Sequence, residues 1–218
     1  MSAGQTILAP APRLKISAVD PQWFSRRTPP DERRAEFERE HALAEQYPGK
    51  ILRWMNLLAL KLDNGLFVWL VDVGDNPADL AGTSGSGCCE SYRLQDYWPD
   101  LGLYVVTLNR SEIGSTLLIS QQTADVLSVA GTPHRNAADT TSFAATTASD
   151  LEGYSVQVWG RTQTRWTKLY ECQNLIYGAT FAEWTGPKSL DFAVDGHPEK
   201  RYKLSATGGA WQTDACEH

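Results

Sequence analysis

A run of oxygen-bearing side chains follows the first strongly apolar part of the chain, and such side chains can bind a hard cation. In the segment DVGDNPAD they are Asp72, Asp75, Asn76 and Asp79. Carboxylate and amide oxygens at close spacing are the ligands that Ca²⁺ prefers, but an EF-hand loop would have glycine where Pro77 and Ala78 fall. Asp and Asn also cap turns that follow strands. We therefore expect a turn here, and we predict no metal and no cofactor.

Histidine and cysteine, the other common metal ligands, lack the spacings of metal sites. The histidines are His41, His134, His197 and His218, and the cysteines are Cys88, Cys89, Cys172 and Cys216. They form no HxH, HExxH or CxxC pattern. We expect reduced thiols, and the alternatives are a bridge from Cys172 to Cys216 or a link from the vicinal pair Cys88 and Cys89. Either alternative requires an oxidising compartment.

Patterns that serve nucleophilic or phosphate chemistry are also missing. GTSGSG (82–87) has glycines around its serines, but no strand precedes it and no helix follows it, so a flexible loop is expected. No GxxxxGK[ST] pattern occurs. A hydrolase that uses two carboxylates about 5–10 Å apart stays open as an alternative. Its first candidates are Asp150, Glu152 and Glu171.

The segment ESYRLQDYWPDLGLY (90–104) has the composition of a protein interface. The residues predicted to bind a partner are Tyr92, Asp96, Tyr97, Trp98 and Asp100. Aromatic rings give a large contact area at a small entropic cost, and acidic residues steer the approach of a basic partner. An equally open interpretation is that Tyr97 and Trp98 cap the open end of a sheet.

The composition restricts the partners that such an interface would have. The chain has 218 residues, a formal net charge of -6 and a pI near 5.2. Surfaces that bind nucleic acid or anionic membranes need clustered Lys and Arg, so we expect neither, and we expect another protein with a basic surface. No basic segment followed by a long apolar run is present at the start, and no stretch approaches the roughly 20 apolar residues that span a bilayer. A soluble cytoplasmic protein is therefore expected.

The elements that would hold this interface are predicted to be mainly short strands. The proline-rich residues 1–30 predict an extended arm. Residues 31–47 predict a surface helix that ends at Pro48-Gly49, and the strand periodicity over 50–218 predicts a single all-β domain. Within it, ILRWMNLLALKLDNGLFVWLVDVG predicts a hairpin with a type I′ turn at Asn64-Gly65.

Groups of strands and polar turns recur at roughly 35–40 residues, near the period of a propeller blade. STLLISQQTADVLSV (115–129) shows the pattern: apolar and polar residues alternate, a polar turn follows, and the alternation resumes. The predicted fold is all-β, an antiparallel meander of short strands that is propeller-like or sandwich-like, with one N-terminal helix and an extended arm.

The succession YWPDLGLYVV, GSTLLIS, AGTP and SVQVW resembles that of uncharacterised bacterial all-β proteins with propeller-like or sandwich-like repeats. The resemblance covers residues 90–175. It implies a rigid scaffold that acts by presenting its surface, and it carries over no catalytic residue.

Taken together, these features favour a non-enzymatic protein-binding module, for example a bacterial immunity or inhibitor protein that neutralises a toxin or enzyme. The alternatives are a structural subunit of a bacterial assembly, in which the N-terminal arm crosses to a neighbour, and the carboxylate-based hydrolase.

Overall fold

The computed structural model describes residues 14–17, 37–54, 56–73, 90–110, 113–149, 153–162, 165–173, 175, 178–194 and 197–216. Several predicted features lie outside these residues: the GTSGSG loop, Cys88, Cys89, Asp75, Asn76, Asp79, Asp150, Glu152 and His218. The arm predicted over 1–30 lies within them only at 14–17, and the predicted helix only from residue 37 onward.

Sixteen strands and one helix form the described chain, so the predicted all-β meander with an N-terminal helix is confirmed. The helix α1 spans Glu38–Gln46. Sheet 1 consists of β1 (Leu14–Ser17), β2 (Ile51–Trp54), β3 (Leu57–Lys61) and β4 (Phe67–Val71). Sheet 2 consists of β5 (Glu90–Trp98), β6 (Leu103–Arg110), β7 (Ile113–Ser120) and β8 (Val126–Val129). Sheet 3 consists of β9 (Thr132–Arg135), β10 (Ser142–Ser149), β11 (Gly153–Thr162) and β12 (Arg165–Gln173). Sheet 4 consists of β13 (Ala179–Gly186), β14 (Ser189–Val194), β15 (His197–Thr207) and β16 (Ala210–Gln212).

Each sheet has four strands, and all the strand pairs are antiparallel. Sheets 2, 3 and 4 are simple meanders, whereas sheet 1 has the order β1-β4-β3-β2 because the arm strand β1 pairs with β4. None of the four sheets closes on itself among the described strands. Three strands escaped sequence reasoning: β1, which lies in the predicted arm, β5, which covers most of the expected interface segment, and β9, which starts at Thr132-Pro133. Proline is tolerated in β9 because β9 lies at the edge of its sheet.

The predicted hairpin between β3 and β4 is present, but its turn is not of type I′. That turn needs a positive φ at both central residues, whereas Gly65 has φ +83° and Ala124 is the one described non-glycine residue with a positive φ. The connection is longer than two residues: the Leu62 N–H donates to the Leu66 carbonyl (2.8 Å), and the Leu66 N–H donates to Asn64 Oδ1 (3.0 Å). The Asn side chain therefore helps to close the turn.

Sheets 2 and 3 are buried on both faces. In β6, Tyr104, Val106 and Leu108 pack toward sheet 1, while Leu103 and Val105 pack toward sheet 3. The near-continuous apolar run LYVVTL is typical of a strand with two dry faces, because both sets of alternating side chains are needed inside. The four sheets thus form successive layers with three cores between them.

We name these cores by the sheets that they join. The first core, between sheets 1 and 2, includes Leu58, Leu60, Val68, Leu70, Tyr104 and Ile119. The second core, between sheets 2 and 3, includes Trp98, Leu103, Val105, Leu118, Phe143 and Trp159. The third core, between sheets 3 and 4, includes Ala144, Val156, Val158, Leu190, Phe192 and Leu204.

The helix α1 covers β5, the edge strand of sheet 2, and contributes one residue to a buried ion pair at this edge. Glu40 is 3% exposed, and its carboxylate accepts hydrogen bonds from Arg53 Nε (2.6 Å) and Nη2 (2.8 Å). The backbone N–H of Leu94 in β5 also donates to Glu40 Oε1 (2.7 Å), and that of Tyr92 donates to Asp72 Oδ1 (2.7 Å). Two carboxylates therefore take the acceptor positions that a neighbouring strand would fill at this edge.

The same ion pair is shielded by an aromatic ring. Phe37, 2% exposed, lies with its ring centroid 4.7 Å from the Arg53 guanidinium and 4.6 Å from that of Arg93. Asp72 bridges the two arginines, because its Oδ2 lies 3.4 Å from Arg53 Nη1 and 2.9 Å from Arg93 Nη1. Removing one member of such a buried pair costs about 3–5 kcal/mol of the free energy of unfolding, since the other charge stays buried.

A disulfide joins Cys172 of β12 to Cys216, which follows β16, with the Cα atoms 5.9 Å apart. The expectation of reduced thiols is therefore wrong for this pair. The bridge closes a loop with a sequence separation of 44 and ties sheet 3 to the end of sheet 4. In the chain-entropy model a loop of this length contributes about 4 kcal/mol to the free energy of unfolding.

The connection between sheets 2 and 3 passes very close to β10. Gly131, between β8 and β9, has φ +72°, and a Cβ atom placed on it would lie 1.9 Å from the carbonyl oxygen of Thr146. The Gly131 carbonyl accepts a hydrogen bond from Thr116 Oγ1 in sheet 2 (2.8 Å). Glycine is therefore needed here both for its backbone conformation and for the close approach of two main chains.

Replacing Gly131 with alanine is expected to lower the free energy of unfolding by more than about 3 kcal/mol, because a backbone segment must move to admit the methyl group. Gly65→Ala is the matched control: φ is again positive, +83°, but nothing lies within 4 Å of the added Cβ. Gly65→Ala should lower the free energy of unfolding by about 1–2 kcal/mol, because the alanine must only adopt the left-handed conformation. Urea unfolding of both variants measures the difference, and equal losses would contradict the close-approach explanation.

Candidate functional site

The aromatic residues predicted to bind a partner lie inside the protein. Tyr92, Tyr97 and Trp98 are 0%, 3% and 4% exposed. The two tyrosines belong to the first core and Trp98 to the second. The three rings therefore pack between sheets and present almost no surface to a partner.

The polar atoms of this segment are also used internally. The Tyr97 hydroxyl donates to Gln121 Oε1 (2.6 Å), and Trp98 Nε1 donates to Asp96 Oδ2 (2.9 Å). Asp100 pairs with Arg135 of β9 (2.8 Å). These contacts join sheet 2 to its own turn and to sheet 3. Direct binding of a partner by these five residues stays a prediction.

Of the three acids proposed for a hydrolase, the structure describes Glu171, whose negative charge is paired with a lysine. Its Oε1 accepts hydrogen bonds from Gln157 Nε2 (2.7 Å) and from Lys168 Nζ (2.9 Å). Gln157 Oε1 in turn accepts a hydrogen bond from Trp159 Nε1 (3.1 Å). This arrangement holds Glu171 within a polar network. Over the described part of the chain, no group of three or more His, Cys, Asp and Glu residues is placed to hold a metal ion.

His134 is the described histidine with a clearly altered ionisation. Its Nε2 lies 2.8 Å from Thr146 Oγ1, and its backbone carbonyl accepts a hydrogen bond from Trp184 Nε1 (3.0 Å). Burial lowers the pKa of His134 to about 4. The ring is therefore neutral at pH 7 and links β9 to β10 within sheet 3, while the backbone carbonyl of His134 links sheet 3 to Trp184 of sheet 4. A general base works best when its pKa lies near the operating pH, which that of His134 does not.

Protonation of His134 should oppose folding, which gives a testable pH dependence. The unfolded chain takes up a proton near pH 6.5, but the folded chain does so only near pH 4. The contribution of the neutral ring to the free energy of unfolding is complete above pH 6.5. About 2–3 kcal/mol of it is lost as the pH falls toward 4. His134→Gln keeps a hydrogen-bonding group and removes this titration, so its unfolding free energy, measured by urea at pH 7 and pH 4.5, should fall less than that of the wild type. Equal losses would contradict the assignment.

A cleft of about 310 Å³ lies between sheets 2 and 3 at one end of the second core. Its lining residues are Leu103 (β6), Leu118 and Ser120 (β7), Asp125, Val126 and Leu127 (β8 and the turn before it), and Arg165 and Trp166 (β12). Five of the eight are apolar. The volume is at the lower end of the range for ligand pockets, roughly 300–1,000 Å³.

The turn between β7 and β8 forms one wall, and hydrogen bonds fix its shape. The Ala124 N–H donates to the Ser120 carbonyl (2.9 Å), and the Ser120 N–H donates to the Asp125 carbonyl (2.9 Å). Ala124 has φ +61°, a conformation that costs a non-glycine residue about 1–2 kcal/mol. Its methyl group packs in the first core, which offsets part of this cost. The turn is thereby held rigidly where it meets the cleft.

Gln121 anchors this turn to the neighbouring elements. Its N–H donates to the Gly102 carbonyl (2.8 Å), and its own carbonyl accepts from the Asp63 N–H (3.0 Å). On the opposite wall, Trp166 lies with its ring centroid 5.1 Å from that of Phe143. Arg161 Nη2 donates to Gln122 Oε1 (2.6 Å) and so spans from sheet 3 to the turn.

The lining of the cleft is suited to binding an apolar group and not to acid–base chemistry. Asp125 and Arg165 are its two ionisable residues, and their charges are opposite. A hydrolytic site of the kind considered above needs two carboxylates, of which this lining has one. The cleft can therefore remove an apolar group from water.

Sequence reasoning missed this cleft. Its residues come from four separate segments of the chain. No local spacing marks the site, because it arises where the turn of one sheet meets the first residues of β12 in the next sheet.

Comparison with protein-family models, with curated proteins and with solved structures gave no match. The resemblance to bacterial all-β proteins therefore stays a prediction. In the described chain, α1 has nine residues and is neither long nor apolar enough to cross a membrane.

Proposed function

We propose that the protein is a non-enzymatic protein-binding module that receives an apolar side chain of its partner in the cleft between sheets 2 and 3. The observation that carries the proposal is the lining of this cleft, in which five of the eight residues are apolar. Apolar anchors that enter a pocket dominate the energy of many interfaces, and the surrounding polar rim excludes water. A volume of about 310 Å³ suits one or two side chains.

Within this class, an inhibitor or immunity protein is the role that we favour. The net charge of -6 attracts a basic partner over long distances and raises the rate of association. The four-layer scaffold supports the role, because a surface that is already ordered loses little entropy when it binds.

Two alternatives receive less support. A subunit whose arm crosses to a neighbour would need that arm free, but residues 14–17 pair with β4 of their own chain. A carboxylate hydrolase would need a pair of acids, and the contacts of Glu171 with Gln157 and Lys168 favour a structural role for this acid.

The disulfide bears on where the module works. Bridges such as that between Cys172 and Cys216 persist mainly in oxidising compartments. A cytoplasmic location, which the sequence favoured, is therefore not part of the proposal.

The proposal predicts that closing the cleft abolishes binding to the natural partner. Leu127→Glu places a charge in the cleft, where Leu127 is partly buried. The matched control is Leu169→Glu on the same sheet as Trp166, because Leu169 is 49% exposed and is not part of the cleft lining. Native mass spectrometry of each protein, tagged and purified from the cells that naturally make it, should show a stoichiometric partner with the wild type and with L169E.

L127E should be recovered without the partner while keeping a cooperative thermal transition. A wild type recovered as a bare monomer would contradict the proposal, and so would an L127E protein that retains its partner.

A further inference from the structure

The face of sheet 1 that is turned away from sheet 2 is apolar. The side chains of β3 and β4 that alternate with those of the first core point to this outer face. Together with two side chains of β2 they form a separate cluster, which we call the outer cluster: Leu52, Trp54, Leu57, Ala59, Phe67 and Trp69. Among the described residues, every member of this cluster belongs to sheet 1.

The outer cluster is nevertheless covered. Ala59 is 0% exposed and Phe67 is 1% exposed. Side chains of one sheet stand side by side, roughly perpendicular to it, so neighbours in the same layer do not close over the top of a phenylalanine ring. A part of the chain outside the described residues must therefore lie on this face.

The connection between β1 and α1 has to cross the width of sheet 1. Ser17, the last residue of β1, is paired with Phe67, whereas Phe37, next to α1, lies against Arg53 of β2. β1 and β2 are the two edge strands of the sheet, about 14 Å apart across three strand spacings. The connecting residues 18–36 can extend to about 60 Å, which is far more than this width.

Two routes are open to this connection, because the first core fills the inner face of the sheet. One route crosses the outer face, and the other passes around the end of the sheet. Ala59 lies at the middle of β3, a central strand, where a segment that passed around the end would not reach it. The complete burial of Ala59 therefore favours the route across the outer face.

The other long segments outside the described residues are less suited to cover the outer cluster. Residues 74–89 are flanked by Val73 and Glu90, which are joined by a hydrogen bond from the Val73 N–H to the Glu90 carbonyl (2.8 Å). Leu80 is the one large apolar side chain of this segment. Residues 1–13 are attached to sheet 1 at one end and contain no aromatic residue.

We infer that residues 18–36 cross the outer face of sheet 1 and that Trp23 and Phe24 pack on the outer cluster. These are the aromatic side chains of the segment, and they follow Ser17 closely enough to reach the middle of the face at about 3.3 Å per residue. The inference goes beyond the proposed function, because it assigns an occupant from the same chain to a second apolar surface. Sheet 1 is then closed by its own chain and presents no apolar face to a partner.

Photochemical cross-linking tests this inference in the full chain. Phe24 is replaced with p-benzoylphenylalanine, equal amounts of ¹⁴N-labelled and ¹⁵N-labelled protein are mixed and irradiated, and the cross-linked peptides are identified by mass spectrometry. The main cross-links should join position 24 to β2, β3 or β4, with both peptides carrying the same isotope.

Every other cross-linking result would overturn the inference. Peptides of mixed isotope would mean that a second copy of the chain covers the face. Links to the turn at 62–66 would indicate the route around the end of the sheet. Links to sheets 3 or 4, or no cross-link at all, would place Phe24 away from the outer cluster.

Hydroxyl-radical footprinting gives a second measurement, since it reports the solvent access of individual side chains. In Trp23→Ser/Phe24→Ser, oxidation of Phe67 and Trp69 should rise several-fold above that in the wild type. Trp159, 8% exposed in the second core, should be oxidised as in the wild type and thus shows that the rest of the stack stays folded.

The matched control is Arg26→Ser/Arg27→Ser, which changes polar residues of the same segment and should leave the oxidation of Phe67 and Trp69 unchanged. Unchanged oxidation of these two residues in the aromatic variant would overturn the inference. If that variant unfolds, which oxidation of Trp159 would reveal, the cross-linking result decides alone. Neither failure would contradict the proposed function, which is decided separately by whether L127E loses the natural partner.

Discussion

The double-sided burial of sheets 2 and 3 is the constraint on which the rest of the structure depends. In β6, Leu103 and Val105 belong to one core while Tyr104 and Val106 belong to another. A shift of one residue in strand register would exchange these two sets, and both cores would have to repack. Sheets with two dry faces also need their edges closed, and the carboxylate of Glu40 meets this need by accepting the Leu94 N–H.

The cleft is a consequence of stacking twisted sheets. The second core is filled along its centre by Trp98, Phe143 and Trp159, whose rings lie about 6.1 Å apart. Toward the end of the sheets, the β7–β8 turn and the start of β12 leave a space that Trp166 and Leu127 border without filling. At Gly131 the chain crosses from sheet 2 to sheet 3 with no room for a side chain, because its backbone lies against Thr146 of β10. The same contacts that stabilise the stack thus also shape its binding surface.

Sequence reasoning found what local patterns determine and missed what tertiary contacts determine. The strand class, the β3–β4 hairpin and the helix followed from periodicity and from turn residues such as Gly65. β5 was missed because Asp96 and Trp98 resemble an exposed interface, whereas in the structure Asp96 accepts the indole N–H of the buried Trp98. The cleft was out of reach because no property of Leu103 or Arg165 alone indicates that β6 and β12 meet at one place.

A hydrogen–deuterium exchange map of the complex with the natural partner tests the central claim most directly, namely that the protein works through the end of the second core. The β7–β8 turn with β8, residues 121–129, and the start of β12, residues 165–168, should become protected on binding. The charged outer face of sheet 4, where Arg201 and Glu183 pair at 3.5 Å and are both exposed, should exchange unchanged. Protection confined to sheet 4, with residues 121–129 and 165–168 unaffected, would contradict the account.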